Sequence, residues 1–339
     1  MSSISESANP LNLARQTNSS TTRNALLLGG IAALVGAAIF VRSKTAQAER
    51  AFPPVGNFIE VNGVKLHYTD TGEGTPIVLL HGNGAMIEDF QLSGLLDQLL
   101  QEYRVIVFDR PGYGHSTRPK DQAFDPESQA ALLHDALVQL GVERPVVLGH
   151  SWGTLVAVAM ALNYPQYVHG AVLLSGYYVP TPRLDTWLMS MPSIPLLGTL
   201  MRYTVSPIIS SLTWKGITKT LFSPNEVPAQ FSRFPKWLTL RPSQLLASAQ
   251  ESAMMVPYAK KLSQRYGELD VPVMIVGGEN DKIVRTEFQA NGMAEKLKSH
   301  PQPTILPGAG HMIHYVRTDE VYQAVAEIAQ SEPARPTLQ

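Results

Sequence analysis

The strongest constraint on the fold is a series of short, uncharged apolar runs of strand length, separated by helical stretches. The runs are Ile77–Leu80, Val105–Phe108, Val146–Leu148, Ala171–Leu174 and Val273–Val276. A strand that is apolar at every position cannot turn one face to water. It belongs in a sheet covered on both sides, as parallel strands are. Between the runs, Asp125-Pro126 has the form of an N-cap with proline in the first helical turn. Leu133, Leu137 and Leu140 follow at helical spacing. Strands alternating with helices predict an α/β fold: a mostly parallel sheet with helices on both faces. Upstream, Phe58–Val61 and Val64–Tyr68 alternate around Asn62-Gly63, which predicts an antiparallel hairpin with a type I′ turn.

The alternation stops between Gly176 and Leu262. Ten of the 25 prolines fall there, with Trp187, Trp214 and Trp237. Short, proline-punctuated apolar helices are expected, forming a helical cap inserted between two strands. The three tryptophans, with Met189, Met191 and Met201, are candidates for a soft apolar substrate lining or for plain packing of the cap. The resulting division is a core of residues 56–175 and 263–330, a cap of residues 176–262, and a C-terminal tail from 331 to 339.

The amino terminus stands apart from this pattern. Residues 1–24 form a polar tail in which Arg15 and Arg23 face a single acid, Glu6. Ala25–Val41 then runs for 17 residues without a charge. As a helix this run is ~26 Å long, just short of the ~30 Å hydrocarbon core of a bilayer. It exceeds the 7–15 residues typical of a signal-peptide core. Arg42 and Lys44 follow, and then Ala46-Gln47-Ala48, a small-x-small signal-peptidase pattern. Two readings stand: an uncleaved anchor that puts the protein on a lipid bilayer through residues 25–41, or a cleaved signal that exports it. The length of the run and the cations before the cleavage pattern favour the anchor. A Ser- and Arg-rich leader also suits a mitochondrial presequence. Flanking charge sets no orientation, because Arg15 and Arg23 precede the run and Arg42, Lys44 and Arg50 follow it. Residues 42–55 are expected to link this segment to the core.

Composition removes several function classes. The 339 residues carry 27 Lys plus Arg against 28 Asp plus Glu, a net charge of -1. That gives no basis for a nucleic-acid partner. The chain has no cysteine, which excludes disulfides, thiolate metal sites and a cysteine nucleophile.

Chemistry concentrates at Gly149-His150-Ser151-Trp152-Gly153, which follows one apolar run and precedes the helical stretch Thr154–Asn163. A G-x-S-x-G motif between strand and helix is a nucleophile elbow. Its turn is tight enough to strain the serine and lift the hydroxyl above the sheet. That hydroxyl needs a base, and the base needs an orienting acid. After Val273–Val276 comes Gly277-Gly278-Glu279-Asn280-Asp281. An acid past the carboxyl end of a strand lies at the level where such sites form. Asp281 is the choice over Glu279, because the turn leaves it on the loop crest. A capping role for Asp281 at the helix near Thr286 is the alternative. The base is His311 in Gly308-Ala309-Gly310-His311; His314 is its rival, without flanking glycines. An oxyanion hole needs two backbone N–H groups aimed at the developing charge. Trp152 and Asn83, in His81-Gly82-Asn83-Gly84, are the candidates.

These blocks, with Asp109-Arg110-Pro111-Gly112-Tyr113-Gly114-His115-Ser116 between them, resemble the α/β-hydrolase fold family from about Gly56 to Ile328. The resemblance implies Ser151, Asp281 and His311 as a catalytic triad, and neither metal nor organic cofactor. It implies a structural role for the Asp109-Arg110 loop. Epoxide hydrolases and haloalkane dehalogenases of this family carry Asp at the elbow, where this chain has Ser151. Aminopeptidases of the family need cap acids to hold a free amine, yet residues 176–262 carry six more cations than acids. The expected activity is that of a serine hydrolase on a small to medium apolar carboxylic ester, through an acyl-enzyme on Ser151. Carbon–carbon bond hydrolases, amidases and cofactor-free haloperoxidases share the triad. A non-catalytic ligand-binding protein on the same fold is the alternative outside enzymology.

Overall fold

The structure is a computed structural model that describes residues 10–120, 122 and 124–332. Most of the tail expected at 331–339, and the start of the polar amino-terminal tail, lie outside the described residues.

Eight strands form one sheet: β1 (Asn57–Val61), β2 (Val64–Thr71), β3 (Pro76–Leu80), β4 (Arg104–Phe108), β5 (Val146–His150), β6 (Gly170–Leu174), β7 (Val273–Gly278) and β8 (Thr304–Leu306). Their order is β1-β2-β4-β3-β5-β6-β7-β8. The first two pairings are antiparallel and the rest parallel. At the opening hairpin Val61 pairs with Val64, and Asn62 and Gly63 have φ of 51° and 76°. Both residues are left-handed, as a type I′ turn requires.

The helices are α1 (Pro10–Ala51), α2 (Ile87–Ser93), α3 (Leu95–Leu99), α4 (Pro126–Gln139), α5 (Gly153–Asn163), α6 (Leu184–Ser190), α7 (Leu197–Tyr203), α8 (Val205–Phe222), α9 (Lys236–Thr239), α10 (Pro242–Ser263), α11 (Thr286–Ala294), α12 (Ile313–Val316) and α13 (Thr318–Gln330). Asp125 caps α4, its Oδ1 accepting from the Ser128 N–H at 2.9 Å. Side chains of a strand alternate between faces. In β3, Val78 and Leu80 therefore pack with Leu133, Leu137, Val156 and Met160 of α4 and α5. Ile77 and Leu79 pack with Phe90, Leu95 and Val325 of α2, α3 and α13. The two cores explain why these strands are apolar throughout.

Between β6 and β7 the chain builds the cap from α6–α10, with no strand among the described residues. The amino-terminal helix does not stop at Val41. Residues 42–51, expected to link, continue it, because no Gly or Pro interrupts the sequence before Pro53-Pro54. α1 packs against α7, α8 and α9. Val41 and Ala48 are buried, with Leu34, Ala37, Ala38 and Lys44–Ala46 half-buried along the same stripe. The Phe40 ring meets Trp237 edge-on at 5.7 Å.

Candidate active site

Ser151 sits on the turn from β5 into α5 with φ of 52°, a strained value for a non-glycine residue. The turn closes only because its neighbours lack side chains. A Cβ on Gly153 would lie 2.3 Å from the Leu80 carbonyl oxygen, and one on Gly149 would lie 2.6 Å from that of Gly153. The Ser151 hydroxyl lies 3.0 Å from Nε2 of His311. Nδ1 of His311 lies 2.7 Å from Oδ2 of Asp281. With the proton on Nδ1, the ring donates to Asp281 and presents Nε2 to the serine.

Asp281 follows β7; it does not cap the helix at Thr286, whose N-cap position is Arg285, but holds the turn that leads into it. Its Oδ1 accepts from the N–H groups of Ile283 and Val284 at 2.7 and 3.0 Å, and its Oδ2 from the Thr286 hydroxyl at 3.1 Å. Those donors fix the carboxylate that meets His311. Glu279 is exposed and turns away, with the Gly308 N–H 3.4 Å from its Oε2.

His314 is buried behind the site, its Nε2 3.2 Å from Oδ2 of Asp89. Nδ1 of His150 is 3.9 Å from the same oxygen. His150 Nε2–H donates to the backbone oxygen of His311 at 3.1 Å, which braces the loop carrying that ring. Burial, and then the neighbouring His314 and His311, push the His150 pKa well below its usual value, so the ring is neutral. Asp89, His150 and His314 also form a group with the donor types of a metal site, the only such group among the described residues.

On the other side of Ser151, Gly82 and Asn83 approach the elbow. A Cβ on Gly82 would lie 3.0 Å from that of Ser151. Among the described residues, the backbone N–H groups of Asn83 and Trp152 have no hydrogen-bond acceptor. This leaves both donors free beside the serine. Asn83 is held by the cap: its Nδ2 donates to the Ser248 carbonyl oxygen at 3.0 Å and the Ser252 hydroxyl at 3.2 Å, both on α10.

A buried ionic cluster fixes this loop from below, and sequence reasoning did not identify its cap member. Arg110 donates from Nε to the His81 carbonyl at 2.8 Å and from Nη2 to the Gly82 carbonyl at 3.1 Å. It pairs with Glu251 of α10 at 2.5 and 3.0 Å. Glu251 also accepts from the Tyr113 hydroxyl at 2.6 Å and from Gln129 at 3.0 Å, while its carbonyl accepts from the Trp152 indole at 3.0 Å. Both charges are fully buried. Burial opposes the guanidinium charge, yet the adjacent Glu251 carries the Arg110 pKa above its usual value. His81 accepts from the Arg110 N–H at 3.0 Å. Burial, followed by the Arg110 charge, lowers the His81 pKa to about 4. In the sequence Glu251 stands out only as one of three acids among nine cations in the cap.

Trp214 and Trp237 pack in a cluster with Phe222, Phe231, Phe234 and Ala48, which is the packing role. Trp187 and Met189, on α6, are exposed.

A family model for the alpha/beta hydrolase fold matches residues 75–318. The 2-hydroxy-6-oxo-2,4-heptadienoate hydrolase of Pseudomonas putida is 26% identical over 73% of this chain and 87% of its own length. The cis-3-alkyl-4-alkyloxetan-2-one decarboxylase of Shewanella oneidensis is 28% identical over 77% of this chain and 85% of its own. A solved bacterial membrane phospholipase A shares the fold, with a TM-score of 0.62 and 18% identity over 94% of this chain and all of that one. Elbow, loops and sheet order agree with these matches: the chain belongs to the α/β-hydrolase fold family.

Proposed function

We propose that the protein is a serine hydrolase that cleaves carboxylic esters with apolar acyl groups, held at a membrane by Ala25–Val41. The observation that carries this reading is the unbroken chain of contacts from Ser151 Oγ through His311 to Asp281, at 3.0 and 2.7 Å. As the serine oxygen attacks the acyl carbonyl, His311 Nε2 takes its proton and Asp281 stabilises the resulting imidazolium. The carbonyl oxygen becomes an oxyanion and accepts from the N–H groups of Asn83 and Trp152. Collapse expels the alcohol, which takes the proton from His311 and leaves the acyl group on Ser151. Water, deprotonated by His311, then attacks the acyl carbonyl and releases the acid. The cationic excess of the cap favours an uncharged or weakly anionic substrate over an amine.

Purified protein should react with a fluorophosphonate at Ser151 and turn over p-nitrophenyl esters, and Ser151→Ala should lose both. Labelling at Ser151 with no ester turned over across a chain-length panel would transfer the triad to carbon–carbon bond cleavage. Absence of labelling would point to a non-catalytic binder.

The anchor, rather than a cleaved signal, is supported by the helical, packed state of Ala46-Gln47-Ala48, with Ala48 buried. Carbonate extraction should leave the full chain in the pellet with an intact amino terminus by mass spectrometry. A soluble product beginning at Glu49 would refute the anchor and leave the hydrolase reading standing.

A further inference from the structure

The cap carries an apolar face that no part of the described chain covers. Leu184, Trp187, Leu196 and Leu212 are 74%, 62%, 87% and 80% exposed, and Leu188, Met189, Ile194, Leu197, Leu200 and Ile209 are exposed with them. From Thr186 to Leu212 the only formal charge is Arg202. That guanidinium is turned inward, onto the Pro192 carbonyl and the Thr199 hydroxyl. Leu196 holds a left-handed backbone, φ 62°, which a leucine adopts only at a cost, and in that strained position it stands out from the surface. The Arg183–Asp185 ion pair borders the face beside Leu184, and from Thr186 to Leu212 no outward charge interrupts it; a soluble surface rarely gathers so many large apolar side chains.

Helix α1 says what lies against this face. Its uncharged run is ~26 Å long and needs all of that length to cross a hydrocarbon layer of ~30 Å. Yet the stripe by which α1 meets the cap begins inside the run, at Leu34, and continues through Ala37, Ala38 and Val41. The elements it meets are α7, α8 and α9. If residues 25–41 lie in the hydrocarbon, whatever packs on the last ~10 Å of them lies at the same depth. Cap helices at that depth need an apolar outer surface, and α6–α8 have one. The first cations beyond both apolar stretches, Arg42 on α1 and Lys215 and Lys219 on α8, are exposed. They fit the phosphates of an anionic headgroup layer.

We propose that helices α6–α8 of the cap are seated in the lipid bilayer beside α1, so that the protein meets the membrane through its cap as well as its anchor. This rests on the reading of α1 as a membrane segment.

The chain has no cysteine, so each introduced one is unique. Full-length Leu188→Cys, Leu196→Cys and Leu212→Cys would carry a nitroxide label in vesicles of phosphatidylcholine and phosphatidylglycerol. Leu28→Cys in α1 and Val138→Cys on α4 are the reference sites, and ester turnover by each labelled protein reports that it is folded. The expected result is a ratio of oxygen to water-soluble nickel accessibility several-fold higher at the three cap sites than at Val138, approaching that at Leu28. Cap labels that match Val138 while Leu28 reads as lipid would overturn the proposal and leave the anchor standing. A water-exposed Leu28 label would remove the anchor reading and the proposal together. Cap labels shielded from both reagents, with dipolar broadening between labels, would put a second copy of the chain on this face and overturn the proposal.

Discussion

Glu251→Gln removes one charge from the ionic cluster under the His81–Gly84 loop, the proposed oxyanion loop, while preserving its shape. In the parent, both Arg110 and Glu251 are fully buried and bonded at 2.5 and 3.0 Å. Glutamine leaves the guanidinium with no counter-charge and turns an amide N–H toward its donors. Breaking one side of a buried pair typically costs 3–5 kcal/mol, because the remaining charge stays desolvated. At roughly 2–4 °C of Tm per kcal/mol for a domain of this size, the loss is about 6–20 °C. Urea unfolding and calorimetry of the full chain in detergent micelles measure it. The double variant Arg110→Met with Glu251→Leu separates stability from function. Replacing both charges with apolar groups is commonly neutral, so its stability should return to within ~1 kcal/mol of the parent. Its turnover should not return, because the donors to the His81 and Gly82 carbonyls are gone and the Asn83 N–H is no longer aimed. Losing one oxyanion donor costs about 10²–10³ in kcat. A Glu251→Gln protein within ~1 kcal/mol of the parent, or a double variant with full kcat, would refute this account.

Three further outcomes are expected. His311→Ala should lose several orders of magnitude in ester turnover, whereas His314→Ala should chiefly lower Tm, since it removes the hydrogen bond to the buried Asp89 carboxylate; the reverse order in purified mutants would move the base by three residues. Asp281→Asn should cut kcat by about 10⁴, because the amide cannot hold the Nδ1–H tautomer, and it should also destabilise the Ile283–Thr286 turn that Asp281 caps. Stability should be greatest near pH 6.5. His81, lowered to about 4, and His150, lowered well below its usual value, are neutral in the fold but take up protons when unfolded, so stability falls as pH drops from about 6.5 toward 4, by up to about 3 kcal/mol for His81 alone. Glu88, raised from 4.5 to about 7 by burial and then by Asp109, keeps its proton in the fold where the unfolded chain loses it, so its contribution declines as pH rises from about 4.5 to 7, against the histidines below about 6.5 and alone above it; urea melts with a maximum near pH 5 would contradict the two histidine assignments, and no decline between about pH 6.5 and 7 would contradict that of Glu88.

The sheet was legible because each of its runs is apolar on both faces, a pattern only a doubly covered strand needs. Ile77 and Val78 point into different cores, and both must be apolar. The elbow was legible for a different reason: its glycines answer to clashes within a few residues along the strand, turn and helix. Asp281 could be chosen because it follows a strand that the apolar pattern had already marked, and His311 because glycines flank it and not His314. The cap was harder. Its helices carry no periodic signal that orders them in space, so Trp187 looked no different from Trp237, although one is exposed and the other packs on α1. The helical course of residues 42–51 was hidden because Arg42, Lys44 and Arg50 look like a solvated connection, while the stripe through Val41 and Ala48 is visible only against the folded cap.

Glu251 shows why pairwise burial escapes a linear reading. Some 140 positions separate it from Arg110, and nothing local to either residue marks them as partners. Once paired, they divide the cap into parts with different freedom. Lifting α10 would separate the Arg110–Glu251 pair and release Asn83 from Ser248 and Ser252, so it would loosen the His81–Gly84 loop beside Ser151. The α8 helix is tied as well, its Leu221 carbonyl accepting from the His311 N–H at 3.1 Å, whereas in α6 and α7 the one inward charge, Arg202, bonds only to the cap itself. Movement that admits a substrate without disturbing the site is therefore cheapest in α6 and α7, which carry much of the apolar outer face.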